Sequence, residues 1–458
     1  MQEIGNLISG QKNLFLSEKT KPISFRLQQL QKLKDLVVAN REKIFVALYE
    51  DLNKSHLESF MTEYNIVISE IDYALKNLKR WSRPEKVKTP MIIKPASAYV
   101  VPEPFGVSLI ISPWNYPFHL AILPAVGAIS AGNTIVLKPS EYSTRTERLL
   151  VELINGTFDK EYFHVVTGGA EMAEELLKQK FDFIFFTGSP NIGKIVMRAA
   201  AENLTPICLE LGGKNPCIVD ESSDLEIAAR RIVWGKFLNA GQTCVAPDYI
   251  YAHSSIKSSL IVLLKKYIRE FYGANEIRSK DYGRLISTKH FDRLLTLMEG
   301  SKILYGGESN RDEKFIAPTL LDVASWDEKI MQEEIFGPIL PILEYKDLDQ
   351  ILSELKTKDK ALATYIFSEN KTSIQKVTSE LSFGGGCVND CLLQFSSKSL
   401  PAGGVGQSGF GRYHGKYTFE TFSHRKSIVY KSNFLDLMMR YPPYTEKKIS
   451  FIKKLLKF

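Results

Sequence analysis

From Gly106 onward the chain repeats one pattern: a short apolar run, a helix-length segment, then another apolar run. The runs Val107–Ile111, Thr134–Leu137, His164–Val166, Phe183–Phe186 and Ile207–Leu211 read as strands. Between them Phe118–Ala131, Ser143–Ile154, Ala170–Gln179 and Asn191–Asn203 read as helices. Such alternation specifies an α/β fold with a parallel sheet. Open sheets of this kind build their sites at the carboxyl ends of the strands. At 458 residues the chain exceeds what one core organises, so two or three domains are expected.

The flanking segments follow other patterns. Residues 24–53 and 63–82 read as long amphipathic helices, the second carrying Ile66, Ile68, Ile71, Ala74 and Leu78 before Pro84 ends it. "KTPMIIKPASAYVVPEPFG" is broken by prolines and reads as edge strands or an arm. A second half opens at Gly212-Gly213. Its helix Leu225–Leu238, with Asp224 as N-cap, leads into "FLNAGQTCVAPDY". A glycine-rich stretch, "LPAGGVGQSGFGRYHGK", precedes the strand-like "SHRKSIVYK". The end, "TEKKISFIKKLLKF", is basic and amphipathic: Ile449, Ile452, Leu455 and Leu456 share one helical face, and Phe451 and Phe458 lie near its edge.

Composition excludes several functions. With 44% hydrophobic and 24% charged residues the chain reads as an ordinary globular protein. A net charge of +7, from 59 basic and 52 acidic residues, is too dilute for a nucleic-acid groove. The N-terminus has no basic start followed by an apolar run, so no signal peptide is expected, and a cytoplasmic location fits. Five cysteines without a C-x-x-C, and seven scattered histidines, argue against zinc and a disulfide framework. Cys208, Cys217, Cys387 and Cys391 read as inert packing.

Cys244 is different. It follows Ala-Gly-Gln-Thr, and Pro247 blocks an easy helix continuation, a setting for a presented thiol. A thiol nucleophile needs an oxyanion donor and a base. Glu210, ending an apolar strand before two glycines, is a candidate base, and Asn115 in "SPWNYP" a candidate donor. "FTGSPNIGK" follows a strand and opens a helix, which suits a phosphate at the helix N-terminus. It approaches the P-loop pattern with Gly188, Gly193 and Lys194, but Ile195 has no hydroxyl for magnesium, which rejects a nucleotide triphosphatase.

Together, "SPWNYP", "TIVLKPSE", "FTGS", "LELGGK", "GQTC" and "EEIFGP" resemble the NAD(P)-dependent aldehyde dehydrogenases, in that family's order and over nearly the whole chain. "GQTCVAPDY", the short N-terminal arm and "SLPAGGVGQSGFGRYHGK" resemble its class 3 branch. The resemblance implies Cys244 as nucleophile, Glu210 as base and Asn115 as oxyanion donor. It implies that Ile111, Ser112, Trp114, Lys138, Glu141, Gly188, Ser189, Gly193, Leu211, Gly212, Glu334 and Phe336 hold the cofactor, and that Tyr116 and His414 line the substrate pocket. NAD is the expected cofactor, with NADP admitted if Glu141 rotates; no metal is expected.

The same resemblance implies a cofactor-binding domain from residues 1–81 and 101–209, a catalytic domain over 210–412, and a bridging β arm from 82–100 and 413–432. Residues 433–458 form a basic tail, either packed on the protein or in peripheral contact with a membrane. The implied reaction oxidises a medium- or long-chain, aromatic or other apolar aldehyde to the acid, through a thiohemiacetal and a thioester, in a homodimer. A thioesterase using the same cysteine leaves the ribose and pyrophosphate motifs unexplained, and the intact cysteine, glutamate and asparagine argue against a non-catalytic relative. One local departure is Ala402 in "PAGG", where the family often has an aromatic; it is expected to alter packing around the substrate mouth.

Overall fold

A computed structural model describes residues 2–456. Two large sheets organise it. The first has six strands in the spatial order Gly409–Phe410, Ile207–Glu210, Phe183–Thr187, Val107–Ile111, Thr134–Lys138 and Phe163–Val165. All but the first are parallel to one another. Val107–Ile111 and Thr134–Lys138 are buried along their whole length. Such strands read as unbroken apolar runs because helices cover both faces. The central covering helix, His119–Ala131, is buried on every side, Pro124 included.

Strand order reverses between Val107–Ile111 and Phe183–Thr187, which are adjacent in space but separated in sequence by two further strands. At such a point the loops leaving the strands diverge and open a crevice. Asn115 follows the first of these strands and Gly188-Ser189 the second; Glu210 ends the next strand over.

The second sheet has seven strands, with Pro216–Val219 and Tyr249–His253 paired in parallel at its middle. Its helix Leu225–Phe237 starts at Asp224, whose carboxylate accepts the Ile227 N–H as expected of the N-cap. Cys244 lies in the loop between that helix and Tyr249–His253. A third, three-stranded sheet joins Glu85–Val87, Ala96–Pro104 and Ser423–Lys431, the last two antiparallel over nine residues.

The elements match the sequence reading in type and differ at their ends. The helix expected over 24–53 is two, Ile23–Ala39 and Arg41–Leu52, because Asn40 turns its amide back onto the Leu36 carbonyl. That expected over 63–82 is Asn65–Trp81, entered through a π-turn at Phe60–Tyr64. Two placements cross the expected boundaries. Gly409–Phe410, inside the stretch assigned to the catalytic unit, edges the first sheet. Residues 416–421, assigned to the arm, form a helix on the central helix, where Gly127 makes room for Thr418.

Candidate active site

A cleft of about 1260 Å³ runs from the carboxyl ends of the first sheet to the Cys244 loop. Ile111, Ser112, Trp114, Asn115, Lys138, Glu141, Gly188, Ser189, Glu210, Leu211, Gly212, Cys244, Glu334 and Phe336 all line it, so these residues, spread over 225 positions of chain, come to one surface. Three other expected residues do not line it. Gly193 faces the core, where a Cβ would come within 2.8 Å of Leu211. Tyr116 turns its hydroxyl onto Thr243 Oγ1 at 2.6 Å. His414 packs edge-on against Tyr413 and Phe395, which line the cleft in its place. Ala402 is likewise buried beneath the cleft, paired backbone to backbone with Tyr413, so it acts on the mouth only through that tyrosine.

At one end the cysteine loop is strained and tightly held. Asn239 and Ala240 have φ of 53° and 51°, left-handed values for residues with side chains, and Gly241 follows at 74°. Two such residues cost roughly 1–3 kcal/mol each and persist only where the surroundings over-determine them. Here the Asn239 N–H meets Glu58 Oε1 at 3.0 Å and its side-chain amide meets the Asn115 carbonyl at 2.8 Å. Gly241 has no alternative, since any Cβ would lie 2.2 Å from the Gly337 carbonyl. Beyond the loop, Asn215 donates to the carbonyls of Cys244 and Ala246 at 2.8 and 2.9 Å. The Asn115 amide is anchored by one bond to the Gln242 carbonyl at 2.9 Å.

The electrostatics disfavour charge at this end. Burial pushes the Cys244 thiol up to about 12, and the Glu334 and Glu210 carboxyls add to the shift. Burial also raises Glu210 well above the usual carboxylate range, against the opposing pull of Arg412 and a hydrogen bond from Cys208 at 3.8 Å. Glu334 is raised to about 8, by burial first and Asp248 second. Each shift has the same origin: a low-dielectric cleft disfavours the ionised form.

The other end suits a dinucleotide. Ser189 caps the helix Pro190–Glu202, whose first residues line the cleft, placing a helix N-terminus against any bound pyrophosphate. Lys138 Nζ and Glu141 Oε2 meet at 3.1 Å and offer a donor and an acceptor to a ribose. Gly212 lies directly against Glu334, whose carboxylate would have to move for a Cβ that otherwise meets it at 2.2 Å. Ser112 contributes a buried hydroxyl without a partner. These groups fit a nicotinamide dinucleotide. The sequence reading missed His290, which stacks edge-on between Trp114 and Tyr142 and is lowered to about 4, by burial first and Arg293 second. No motif marks it; only the fold brings it there.

A doubly wound sheet with a dinucleotide cleft and a half-buried cysteine at its far end defines a nicotinamide-dependent oxidoreductase. The chain belongs to the aldehyde dehydrogenase family, whose model matches residues 4–428. It is therefore an enzyme that oxidises aldehydes with NAD or NADP. It is 49% identical to the 4,4'-diaponeurosporen-aldehyde dehydrogenase of Staphylococcus aureus, over 97% of each chain. It is 44% identical to the dimeric NADP-preferring aldehyde dehydrogenase of Canis lupus familiaris, over 98% of this chain and 99% of that one. The solved substrate-bound state of Staphylococcus aureus AldH superposes with a TM-score of 0.97 at 48% identity, over 99% of both chains.

A thiol raised to about 12 is almost wholly protonated at neutral pH. In the cofactor-free enzyme carrying Cys387→Ser, which removes the other partly exposed thiol, alkylation of Cys244 by iodoacetamide should rise about tenfold per pH unit from pH 7 to 9, with no plateau. Glu334→Gln should leave the rate little changed at pH 7, where Glu334 is mostly protonated, and speed it above about pH 8, where the carboxylate would otherwise oppose the thiolate. A plateau below pH 8 would show that the thiolate forms without help.

Proposed function

We propose that Cys244 is the nucleophile, Asn115 the oxyanion donor and Glu210 the base of an aldehyde oxidation that passes through a thiohemiacetal and a thioester. The observation that carries the reading is the convergence of these three side chains on one cleft with the dinucleotide-binding groups. In this reading the first sheet belongs to the unit that holds the cofactor and the second to the unit that carries the nucleophile.

Cys244 first gives up its proton to water, and the thiolate Sγ then attacks the aldehyde carbon, whose carbonyl oxygen becomes an alkoxide. One Asn115 N–H is committed to Gln242, which leaves the other, with the Cys244 backbone N–H, for that oxygen. Each donor of this kind is worth about 3–4 kcal/mol in the transition state. Bound NAD(P)+ supplies the hydride acceptor for the carbon so activated. Lys138, Glu141, Glu334 and Ser189 hold the cofactor, and Trp114 and Phe336, edge-to-face at 5.3 Å, wall the space beside the cysteine. In its ionised form Glu210 then takes a proton from water, which attacks the thioester; the acid leaves, and the thiolate released regains a proton to restore the thiol. The raised affinity of Glu210 for protons makes it a better base near neutrality than an exposed glutamate.

In a single turnover, Glu210→Gln should retain the burst of reduced cofactor and accumulate an acyl-enzyme visible by mass spectrometry, while Cys244→Ala shows neither. Absence of both burst and adduct in the glutamine variant would remove Glu210 from the deacylation step.

We infer an apolar substrate. Leu120, Leu362, Phe395 and Tyr413 line the cleft, and the Staphylococcus aureus relative is named for a polyene aldehyde. Across straight-chain aldehydes kcat/KM should climb with length by up to about fourfold per buried CH₂ until the wall is filled. A flat series, or one favouring the shortest members, would exclude this substrate class.

The tail forms a helix over Glu446–Leu456 that leaves Ile449 and Phe451 exposed beside Lys453 and Lys454; Lys457 and Phe458 lie outside the described residues. Among the described residues no helix is long and apolar enough to cross a membrane. We infer that this helix lies in a membrane interface, where each lysine adds about 1 kcal/mol near anionic lipid. We further infer a homodimer, as the canine relative is named. The full chain should co-sediment with anionic vesicles at low salt and be released by salt, whereas a chain ending at Thr445 stays in the supernatant. Both should sediment in lipid-free buffer with the mass of two chains. Equal behaviour of the two proteins towards vesicles would assign the tail a packing role.

A further inference from the structure

Directly beneath Asn115 lies an ion pair that no motif announced. Lys54 follows the helix Arg41–Leu52, and Glu63 belongs to the π-turn Phe60–Tyr64. Their side chains are both 0% exposed, and Lys54 Nζ meets Glu63 Oε1 at 2.5 Å. The pair grips one short stretch at both ends. Lys54 Nζ donates to the Asn115 carbonyl at 2.9 Å and sits 3.9 Å from the centre of the Tyr116 ring. Glu63 Oε2 accepts the His119 N–H at 2.7 Å.

The contacts continue into the cysteine loop. Asn239 donates to the same Asn115 carbonyl, and the Tyr116 hydroxyl bonds Thr243, the residue before Cys244. A buried pair is weak evidence for stability, because well-packed apolar residues often serve as well. What sets this one apart is where its spare bonds go. Lys54 has no solvent to satisfy it, and its remaining bonding capacity is spent on Asn115 and Tyr116.

We propose that Lys54 is a positioning residue for the oxidation: its ammonium, oriented by Glu63, fixes the Asn115 peptide and thereby aims the Asn115 side-chain amide at the oxyanion on Cys244. The proposal rests on the reading of Asn115 as oxyanion donor. It predicts an effect on the acylation step and none on the cofactor site, to which Lys54 makes no contact.

The test replaces both charges, Lys54→Met with Glu63→Gln, so that no lone charge is stranded in the core. The burst rate with an apolar aldehyde should fall about 10- to 100-fold, as small misplacements of catalytic groups do. The dissociation constant for NAD, followed by quenching of protein fluorescence, should stay within about twofold. A double-mutant cycle with Asn115→Ala decides the route of the effect. Asn115→Ala alone should cost about 10²-fold or more. In that background the neutral pair should cost less than about twofold, because the amide it aims is gone.

An equal loss in both backgrounds, or an undiminished burst rate in the neutral pair, overturns the proposal while leaving the oxyanion reading intact. An unimpaired Asn115→Ala enzyme overturns the oxyanion reading itself, and this proposal with it. If the neutral pair does not fold, Lys54→Arg goes through the same cycle. It keeps the charge but replaces the single ammonium with a wider guanidinium. A loss confined to the Asn115 background supports the proposal, and an equal loss in both, or none, overturns it.

Discussion

The carbonyl of Asn115 accepts two hydrogen bonds, from Lys54 Nζ and Asn239 Nδ2, and the active site is assembled around it. Lys54 lies in the turn between two N-terminal helices, Asn115 in the loop after a strand of the first sheet, and Asn239 in the loop before the cysteine. One backbone oxygen therefore ties together three parts of the chain that are distant in sequence. The left-handed run at Asn239–Gly241 is held by this bond, by the one to Glu58 and by those between Asn239 and Gln242. Once it is held, the loop can bend sharply enough to bring Cys244 up beside the strand ends.

The same burial that makes these bonds strong sets the chemistry. Without water to screen them, Cys244, Glu210 and Glu334 all favour their neutral forms. A thiol so protected is a poor target for oxidants and alkylators while the enzyme waits. The carboxyls beside it hold their protons more tightly for the same reason, the cost of a charge in a low dielectric. At the opposite end, a helix N-terminus, a lysine and a glutamate offer the polar contacts that a dinucleotide needs. The cleft thus grades from a polar cofactor end to an apolar reacting end.

Much of this was legible in the chain. The five parallel strands were placed within a residue or two at each end, because strands covered on both faces leave unbroken apolar runs. Fourteen of the seventeen expected site residues line the cleft, eleven of them at or just beyond the strand ends of the first sheet. The three that do not are instructive. Gly193, Tyr116 and His414 sit in motifs beside the site, yet each side faces the packing beneath it. A motif locates a stretch of chain, whereas the direction of a side chain depends on what packs against it.

By itself the sequence determined the α/β class and the order of the strands along the chain, which follow from local periodicity, and its motifs carry the resemblance to the family to which the chain belongs. Only the tertiary structure decided that Lys54 and Glu63 lie under Asn115, that His290 stacks on Trp114, and that Gly409–Phe410 edges the first sheet rather than the second. It also decided that burial raises the thiol and its neighbouring carboxyls towards their neutral forms. Those facts arise from contacts between residues far apart in the chain and from the exclusion of water, and neither leaves a periodic trace in the order of amino acids.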